Sequence, residues 1–341
     1  MGRRATITSV LACASVLTMV VGTDPAAAAA PSPADALQEQ GLAAFEWYPL
    51  SQVNGKVSDQ RLNSLRGDGF RTIYAHVGEY LEVADQPDSR AQRARLSQLN
   101  SELKRLASRA SNLGFAVHAV AGAPGWTDAS HRYLGPKLVK LVADYNTAAA
   151  ANERVQGVQL DVEPYVDASF WNDADASLQS YLWALQGVVD AYRQARTQAG
   201  NSGLRLGFVI PFWFDGEPGA PGPVWWGGAL KPAAFHLIDM LAALPEAYVV
   251  VMAYRNFAKG ADGSIEHAGS EFDYAKGSNA QCGIVVGQEF TKVTPEKLSF
   301  WWAGRAAFRQ AALDIAEAYG QSPQFRGLSV NDMNAYLAAR E

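Results

Sequence analysis

Two carboxylates separated by one residue are the strongest candidates for chemistry in this sequence. Asp161 and Glu163 belong to the stretch VQGVQLDVEPY, residues 155–165. Alternate side chains of a β-strand point to opposite faces, and Pro164 ends the run because it cannot donate to a strand ladder. One face of this predicted strand is apolar, with Val158, Leu160 and Val162. The other face becomes acidic towards its end, so both carboxylates are predicted to share one pocket.

Paired carboxylates of this kind suit general acid catalysis. Two neighbouring carboxylates disfavour each other's charged forms, which raises the pKa of one of them. A proton donor that works near neutral pH needs such an upward shift. The alternative interpretation is that Asp161 and Glu163 form a structural ion-pair cluster inside the fold. We favour catalysis because both acids are predicted to face inward at a strand end.

The elements that would position this pair alternate between strands and helices along the chain. The predicted strands are residues 43–50, 70–77, 116–121, 155–165, 204–214, 248–254, 283–289 and 325–330, and the main predicted helices are residues 58–66, 89–112, 134–151, 170–199, 232–243 and 302–319. Residues 215–228 are predicted to be a long loop, and residues 256–279 give only weak helix signals. This alternation indicates a parallel sheet.

Eight such units favour a closed sheet, that is, an α/β fold consisting of a single (β/α)8 TIM barrel. An open parallel sheet would instead be expected to carry a glycine-rich phosphate loop early in the chain, which this sequence lacks. Catalytic residues of such barrels lie at the carboxyl ends of the strands. The barrel is predicted to span residues 41–341.

The predicted fourth strand resembles the strand-four signature of family-18 glycoside hydrolases, the chitinase-like barrels. That signature ends Asp-x-Asp-x-Glu after an Asp-Gly pair, and Gly157, Asp161 and Glu163 match it. Gln156 and Gln159 stand where the signature has its two earlier acids. The resemblance supports the superfamily of barrels rather than a chitinase.

The sixth and eighth strands extend the comparison. Met252–Ala253–Tyr254 resembles the Met-x-Tyr of the family's sixth strand, with Arg255 where an aspartate is usual. Residues 327–334 contain no counterpart of the strand-eight tryptophan that forms the floor of the family's sugar site.

The resemblance implies a glycosidase in which Glu163 protonates the glycosidic oxygen. Asp161 would orient or stabilise an acetamido group of the substrate as the nucleophile, and Tyr254 would hydrogen-bond that group. Gln159 and Arg255, which replace acids of the family, are predicted to contact the substrate in the same pocket.

Glu289, at the end of the predicted seventh strand, offers a second mechanism. Many retaining glycosidases of the large barrel clan place an acid/base at strand four, often within Asn-Glu-Pro, and a nucleophile at strand seven. Two carboxyls about 5–5.5 Å apart would then act by double displacement through a covalent sugar intermediate. Val162 replaces the asparagine here, so we rank this mechanism second. Glu289 could alternatively be a helix-cap or surface acid.

Aromatic and histidine side chains at strand ends are predicted to bind the sugar, because indoles stack on the C–H faces of sugar rings. The tryptophans at or just past a predicted strand end are Trp47, Trp126 and Trp213. Tyr74 and His76 share one face of the second strand and are assigned to the same site. Trp171 and Trp183 fall within a predicted helix, so we expect them to pack in the core.

No cofactor and no metal centre are predicted. His76 and His118 are isolated, and spacings such as His-Glu-x-x-His are absent from the sequence. Asp161 and Glu163 could bind Mg²⁺ as in phosphodiesterase barrels, but no nearby acid or histidine in the sequence completes a coordination shell. A Gly-x-Ser-x-Gly elbow is also absent, which argues against an esterase of that type.

The first thirty residues have the order of a secretory signal peptide. Arg3 and Arg4 precede an apolar run over residues 7–21, and small residues follow at 26–30. The run is too short and badly flanked for a membrane span, which needs about 20 apolar residues. We therefore predict cleavage of residues 1–30, a secreted extracellular protein without a membrane anchor, and a disordered leader at residues 31–40.

The net charge and the cysteine content limit which binding partners and which disulfides are expected. The formal net charge of −5 at pH 7 offers no basic field for nucleic acid. Cys282 is the only cysteine after residue 30, so no intrachain disulfide can form in the exported chain. We expect a monomer that acts on an oligo- or polysaccharide. The rival hypothesis is a non-catalytic glycan-binding lectin on the same barrel, against which the retained Glu163 argues.

Overall fold

The predicted strands close into a parallel eight-stranded barrel in the computed structural model, which describes residues 31–217 and 219–341. The barrel strands are β1 (Leu42–Glu46), β2 (Phe70–His76), β3 (Ala116–Ala121), β4 (Gly157–Leu160), β5 (Arg205–Pro211), β6 (Ala247–Met252), β7 (Gly283–Glu289) and β8 (Phe325–Asn331). Each strand pairs with its neighbours in sequence, and β8 pairs with β1 to close the barrel. The predicted α/β (β/α)8 TIM barrel is confirmed.

Helices surround the barrel and connect its strands. They are α1 (Pro33–Gln40), α2 (Leu50–Lys56), α3 (Asp59–Gly67), α4 (Gly78–Asp85), α5 (Arg90–Asn112), α6 (Leu134–Ala148), α7 (Ala174–Ala195), α8 (Ala233–Leu241), α9 (Glu266–Gly277), α10 (Phe300–Ala303), α11 (Arg305–Tyr319) and α12 (Met333–Ala338). Ser58 and Ser89 cap α3 and α5 through their side-chain oxygens, which satisfies amides that have no partner inside the helix. Within the described residues, no helix combines the length and the apolar character that crossing a membrane requires.

The barrel wall separates two apolar layers, and this separation decides which side chains can reach the site. The apolar residues of β4, Val158, Leu160 and Val162, pack in the large core between strands and helices. A smaller cluster fills the inside of the barrel and includes Phe45, Val120 and Val209. Gln159 lies on this inner side, where its side chain occupies the space above Gly207. The predicted assignment of the two faces of β4 is therefore confirmed.

The disordered leader predicted for residues 31–40 is wrong, because residues 33–40 form α1. Ser32 and Asp35 make a reciprocal capping box at the start of this helix, and Ala36 is buried against the domain. Its composition is typical of disorder, but a serine cap followed by proline is also a helix start. The predicted signal peptide, residues 1–30, lies outside the described residues.

Two segments between barrel strands are more ordered than predicted. In the predicted loop at 215–228, the strand Val224–Trp226 pairs with Ala229–Lys231 in an antiparallel hairpin. Gly227 and Gly228 form its turn with positive φ angles, a conformation that favours glycine. In the polar segment at 256–279, α9 forms because one of its faces is buried against the barrel.

Candidate active site

The carboxylates of Asp161 and Glu163 lie just beyond the end of β4, which is shorter than predicted. The strand ends at Leu160, and the amide of Asp161 donates one more ladder bond to the carbonyl of Ala121 at 3.1 Å. Glu163 then leaves the sheet before the 3₁₀ turn that begins at Pro164. Both side chains are half-buried. They occupy the C-terminal end of the barrel, where catalytic residues of this fold lie.

The two β4 carboxylates are electrostatically coupled. Burial raises the pKa of Asp161 to about 7, and the negative charge of Glu163 adds to the increase. One oxygen of Asp161, Oδ1, is buried without a hydrogen-bond partner. The hydroxyl of Tyr165 donates to Oε1 of Glu163 at 2.8 Å. Asp161 can therefore hold a proton near neutral pH next to Glu163.

Tyr254 connects the β4 carboxylates with Glu289 at the end of β7. Burial raises the pKa of Tyr254 well above its ordinary value, and the charges of Glu289, Asp161 and Glu163 each add to the increase. All three carboxylates therefore act electrostatically on one phenol. The four residues that the sequence analysis assigned to catalysis end or follow β4, β6 and β7, on the C-terminal side of the barrel.

Glu289 is held as part of a hydrogen-bond network. It is only 4% exposed, and burial raises its pKa. The backbone amide of Thr291 donates to Oε1 at 2.5 Å, and the side-chain amide of Asn331 donates to Oε2 at 2.8 Å, which acts in the opposite direction on its pKa. Both carboxylate oxygens therefore have partners, unlike those of Asp161.

Asn331 is a site residue that sequence reasoning missed. It ends β8, and its side-chain oxygen accepts a hydrogen bond from the indole nitrogen of Trp47 at 2.8 Å. Trp47 follows β1, the strand that pairs with β8, so closure of the barrel makes this contact possible. The signal that could have indicated Asn331 was its position at the end of a strand adjacent to that of Glu289. Trp47 therefore lies next to the end of β8, although β8 itself contains no counterpart of the strand-eight tryptophan of family-18 glycoside hydrolases.

A cleft of about 460 Å³ opens at the ends of β2 and β3. His76 and Trp126 line it together with the acidic side chains of Glu82 and Asp85. Gly122 borders this cleft and approaches the backbone of Asp161 so closely that a Cβ atom would lie 1.8 Å from its carbonyl oxygen. The cleft therefore borders the backbone of Asp161, and two predicted sugar-binding residues line it.

His76 is suited to a neutral hydrogen-bonding function in this cleft. Its ring centroid lies 5.8 Å from that of Trp47, and its Nδ1 is buried without a partner. Burial lowers the pKa of His76, although Glu82 and Glu79 act in the opposite direction. The imidazole is therefore neutral at neutral pH.

A row of aromatic rings extends outward from Glu163. Tyr165, which donates to Glu163, packs edge-on against Trp213 with centroids 4.9 Å apart, and Trp213 lies 5.9 Å from Trp171. The Trp171 indole donates to the carbonyl of Tyr165 at 3.0 Å, yet the residue is 52% exposed. The expectation that Trp171 packs in the core is therefore wrong, because its loop carries it to the surface. Trp183, also expected in the core, is likewise exposed.

Tyr74 and Gln159 lie too deep in the barrel to bind a sugar at its mouth, so these two assignments are corrected. Tyr74 is 2% exposed and belongs to the inner apolar cluster. Gln159 is fully buried two residues before Asp161, a displacement of about 6–7 Å along the strand. Sequence alternation gives the correct face but not the depth, which depends on how far each strand extends.

Arg255 also does not face the pocket, and its predicted substrate contact is corrected. Its guanidinium is buried, binds Asp262 at 2.6 Å and lies 5.4 Å from the ring centroid of Phe212. One nitrogen donates to the carbonyl of Tyr254 at 2.7 Å. Through these contacts Arg255 stabilises the loop after β6.

The described residues contain no cluster of side chains suited to binding a metal ion. Across residues 31–217 and 219–341, no three histidine, cysteine, aspartate or glutamate side chains are arranged to hold a metal ion.

Comparisons with known proteins give similarity of structure without similarity of sequence. No family model matches the chain, and no curated protein matches it. The endo-β-mannanase/endo-β-glucanase PbGH26A-GH5A of Prevotella bryantii superposes with a TM-score of 0.57 at 12% identity, over 90% of this chain and 47% of that one. A broad-specificity GH5-4 endoglucanase from Clostridium longisporum gives 0.52 at 11% identity, over 88% of each chain.

A GH18 chitinase from Cycas revoluta, crystallised with (GlcNAc)3, gives a TM-score of 0.47 at 13% identity, over 87% of this chain and 96% of that one. A similarity at that level adds no argument. At such low identities the two stronger superpositions show the barrel fold alone. The activity of this chain has to be argued from its own site.

Proposed function

We propose that the protein is a glycoside hydrolase in which Glu163 protonates the glycosidic oxygen of the departing sugar. The observation that supports this proposal is the position of Asp161, Glu163 and Glu289 at the C-terminal end of the barrel, where all three act electrostatically on the buried Tyr254. Glycoside hydrolysis needs two carboxyl groups, one of which donates a proton. Asp161, beside Glu163, can hold a proton near neutral pH.

Asp161 is assigned to support the nucleophile, which is the acetamido group of the substrate. The Asp161 side chain is half-buried, and its Oδ1 has no hydrogen-bond partner among the described residues, so the carboxylate is not committed to the protein and is available to a substrate N–H. Both oxygens of Glu289 already accept hydrogen bonds from Thr291 and Asn331. The substrate class implied by this arrangement is a glycan with 2-acetamido sugars.

A second mechanism makes Glu289 the nucleophile and Glu163 the acid/base. The observation that favours it is the common effect of both carboxylates on Tyr254, which links the ends of β4 and β7. Double displacement would proceed through a covalent glycosyl–Glu289 intermediate, and water would release the sugar in a second step.

The experiment that tests the proposed function compares aryl 2-acetamido glycosides with the matching aryl glycosides that lack the acetamido group. The wild type is expected to hydrolyse the first kind faster. Glu163→Gln should lower the rate by about 10²–10⁴, the range of general acid catalysis, and by less for a leaving group that needs no proton. Glu317→Gln, a change of an exposed acid, is the matched control.

Two results would contradict this function. Retention of wild-type activity in Glu163→Gln would exclude it as the acid. Oligosaccharide binding by the wild type without any hydrolysis across the substrate panel would instead support the lectin hypothesis.

Export is part of the proposal and rests on the sequence of residues 1–30. Polymeric glycans occur outside the cell, which agrees with a signal peptide that is cleaved during export. N-terminal sequencing of the exported protein is expected to find a start between residues 27 and 33. A start at Met1 would contradict export by this route.

A further inference from the structure

A second cavity lies at the end of the barrel opposite Glu163. Its volume is about 300 Å³, and residues at the beginnings of the strands line it, among them Leu42, Thr72 and Ala247. This volume is at the lower limit of pockets that hold small molecules. Parallel strands separate it from the C-terminal end, so it is distinct from the proposed catalytic site.

Two arginines give this cavity positive charge. Arg205, the first residue of β5, and Arg326, near the start of β8, both line it. Burial lowers the pKa of Arg326, and the like charge of Arg205 contributes to the same effect. Both arginine side chains line the same cavity, so an anion bound there would offset their like charges.

Nearby acids balance only part of this charge. Glu246 lines the cavity, and its carboxylate is 3.7 Å from Nε of Arg205. That separation is longer than the hydrogen bonds of a close guanidinium–carboxylate pair. Glu246 and the more distant Glu39 both act to raise the pKa of Arg326, but burial and Arg205 outweigh them. Positive charge thus remains in excess among the lining side chains.

His118 supplies a neutral polar group at the same level of the barrel. The strand register aligns it with Tyr74 on β2 and with Gly157 on β4, which in turn aligns with Arg205. Its Nδ1 is 2.7 Å from the hydroxyl of Tyr248, and its Nε2 is buried without a partner. Burial and the charge of Arg205 lower the pKa of His118 to about 3.

One of the two neutral tautomers of His118 is a hydrogen-bond donor in this cavity. When the Tyr248 hydroxyl donates to Nδ1, the single ring proton of the neutral imidazole is on Nε2. The side chain is 2% exposed, and Nε2 has no hydrogen-bond partner among the described residues. An unmet buried donor is costly, and an oxyanion beside two guanidinium groups would satisfy it.

We propose that this N-terminal cavity, defined by Arg205, Arg326 and His118, binds a small oxyanion such as phosphate, either free or as the ester of a small molecule. Guanidinium groups bind tetrahedral oxyanions through paired, charge-assisted hydrogen bonds. The neutral histidine adds a donor that does not change with pH in the neutral range. Binding here stabilises the starts of β3, β5 and β8 against one another.

Titration of the full-length exported protein with inorganic phosphate, and separately with glucose 6-phosphate, tests the proposal. Calorimetry and thermal unfolding at constant ionic strength, with chloride as the reference salt, are expected to show saturable binding and a saturable rise in Tm. Arg205→Gln should weaken binding about tenfold or more, since it removes a charged donor. Arg193→Gln, a change of an exposed arginine on α7, should leave binding unchanged.

Two outcomes would overturn the site. Absence of saturable binding for both probes in the wild type would exclude it, as would equal affinities in Arg205→Gln and the wild type. His118→Phe is a second variant that keeps the ring volume, and it should weaken binding while leaving the hydrolytic rate unchanged. Binding by inorganic phosphate alone identifies a free anion, and tighter binding of the ester identifies a small-molecule ligand.

Discussion

The side-chain amide of Asn331 donates a hydrogen bond to Oε2 of Glu289 at 2.8 Å, joining the ends of β8 and β7. Trp47 fixes the other end of that amide by donating to its oxygen. Trp47 thus fixes the orientation of the Asn331 side chain in which its amide group donates to Glu289. A buried carboxylate at the end of β7 depends on this arrangement for one of its two donors.

Asn331→Ala is expected to destabilise the protein mainly where Glu289 is ionised. Loss of this hydrogen-bond donor should destabilise the folded protein by about 1–3 kcal/mol when the buried carboxyl group is ionised. The loss should be smaller when the carboxyl group is protonated. The free energy of unfolding should therefore fall more at pH 8 than at pH 4. Chemical denaturation at the two pH values measures this, with Asn152→Ala on the surface as the control. Equal losses at both pH values would mean that Asn331 contributes only packing.

Paired kinetics of Asp161→Asn and Glu289→Gln separate the two mechanisms. If the acetamido group of the substrate is the nucleophile, Asp161→Asn should cost about 10²-fold or more in kcat and Glu289→Gln much less. If Glu289 is the nucleophile, the order reverses, because no covalent intermediate can form without it. Rescue of a Glu289→Ala variant by azide, with release of a glycosyl azide, would contradict our preferred mechanism.

Glu46 is expected to make stability fall as pH rises. Its carboxyl is fully buried, and burial raises its pKa to about 7, whereas the amide of Tyr48 donates to it at 2.9 Å and acts in the opposite direction. The unfolded chain ionises at lower pH than the folded one, so the free energy of unfolding decreases from about pH 4.5 to pH 7. Glu46→Gln should remove the share of this decrease that Glu46 contributes and gain up to about 3 kcal/mol above pH 7. Denaturation across pH 4–9 tests it, and parallel curves for variant and wild type would contradict it.

The aromatic row beside Glu163 is expected to bind sugar units beyond the one that is cleaved. Trp171→Ala and Trp213→Ala should each raise KM for a long oligosaccharide by about fivefold, since an aromatic contact contributes about 1 kcal/mol. Neither change should alter kcat on a short aryl glycoside that does not reach Trp171. Trp225→Ala, on the exposed hairpin, serves as the control. Equal effects on long and short substrates would assign these tryptophans to the stability of the loop.

The sequence by itself determined the features that depend on neighbours along the chain. Alternation around Asp161 gave the inward face of β4, and the predicted helix starts at residues 58 and 89 lie within one residue of those of α3 and α5, because strand pleat and helix initiation act over a few residues. The count of strand–helix units then sufficed for the barrel. The same local rules missed α1, whose short helix depends on burial of Ala36 against the domain.

Only the tertiary structure decided which of these residues meet. Trp47 and Asn331 are 284 residues apart, and no local pattern relates them. Closure of β8 onto β1 brings them together and supplies Glu289 with its donor. The tertiary structure also decided how deep each side chain lies and in which direction it points. Tyr74 lies on the same face of β2 as His76 but is buried in the core. Arg255 follows Tyr254 in the chain but forms an ion pair with Asp262. A strand's length and the packing of its loops set these positions, and both depend on contacts between segments distant in sequence.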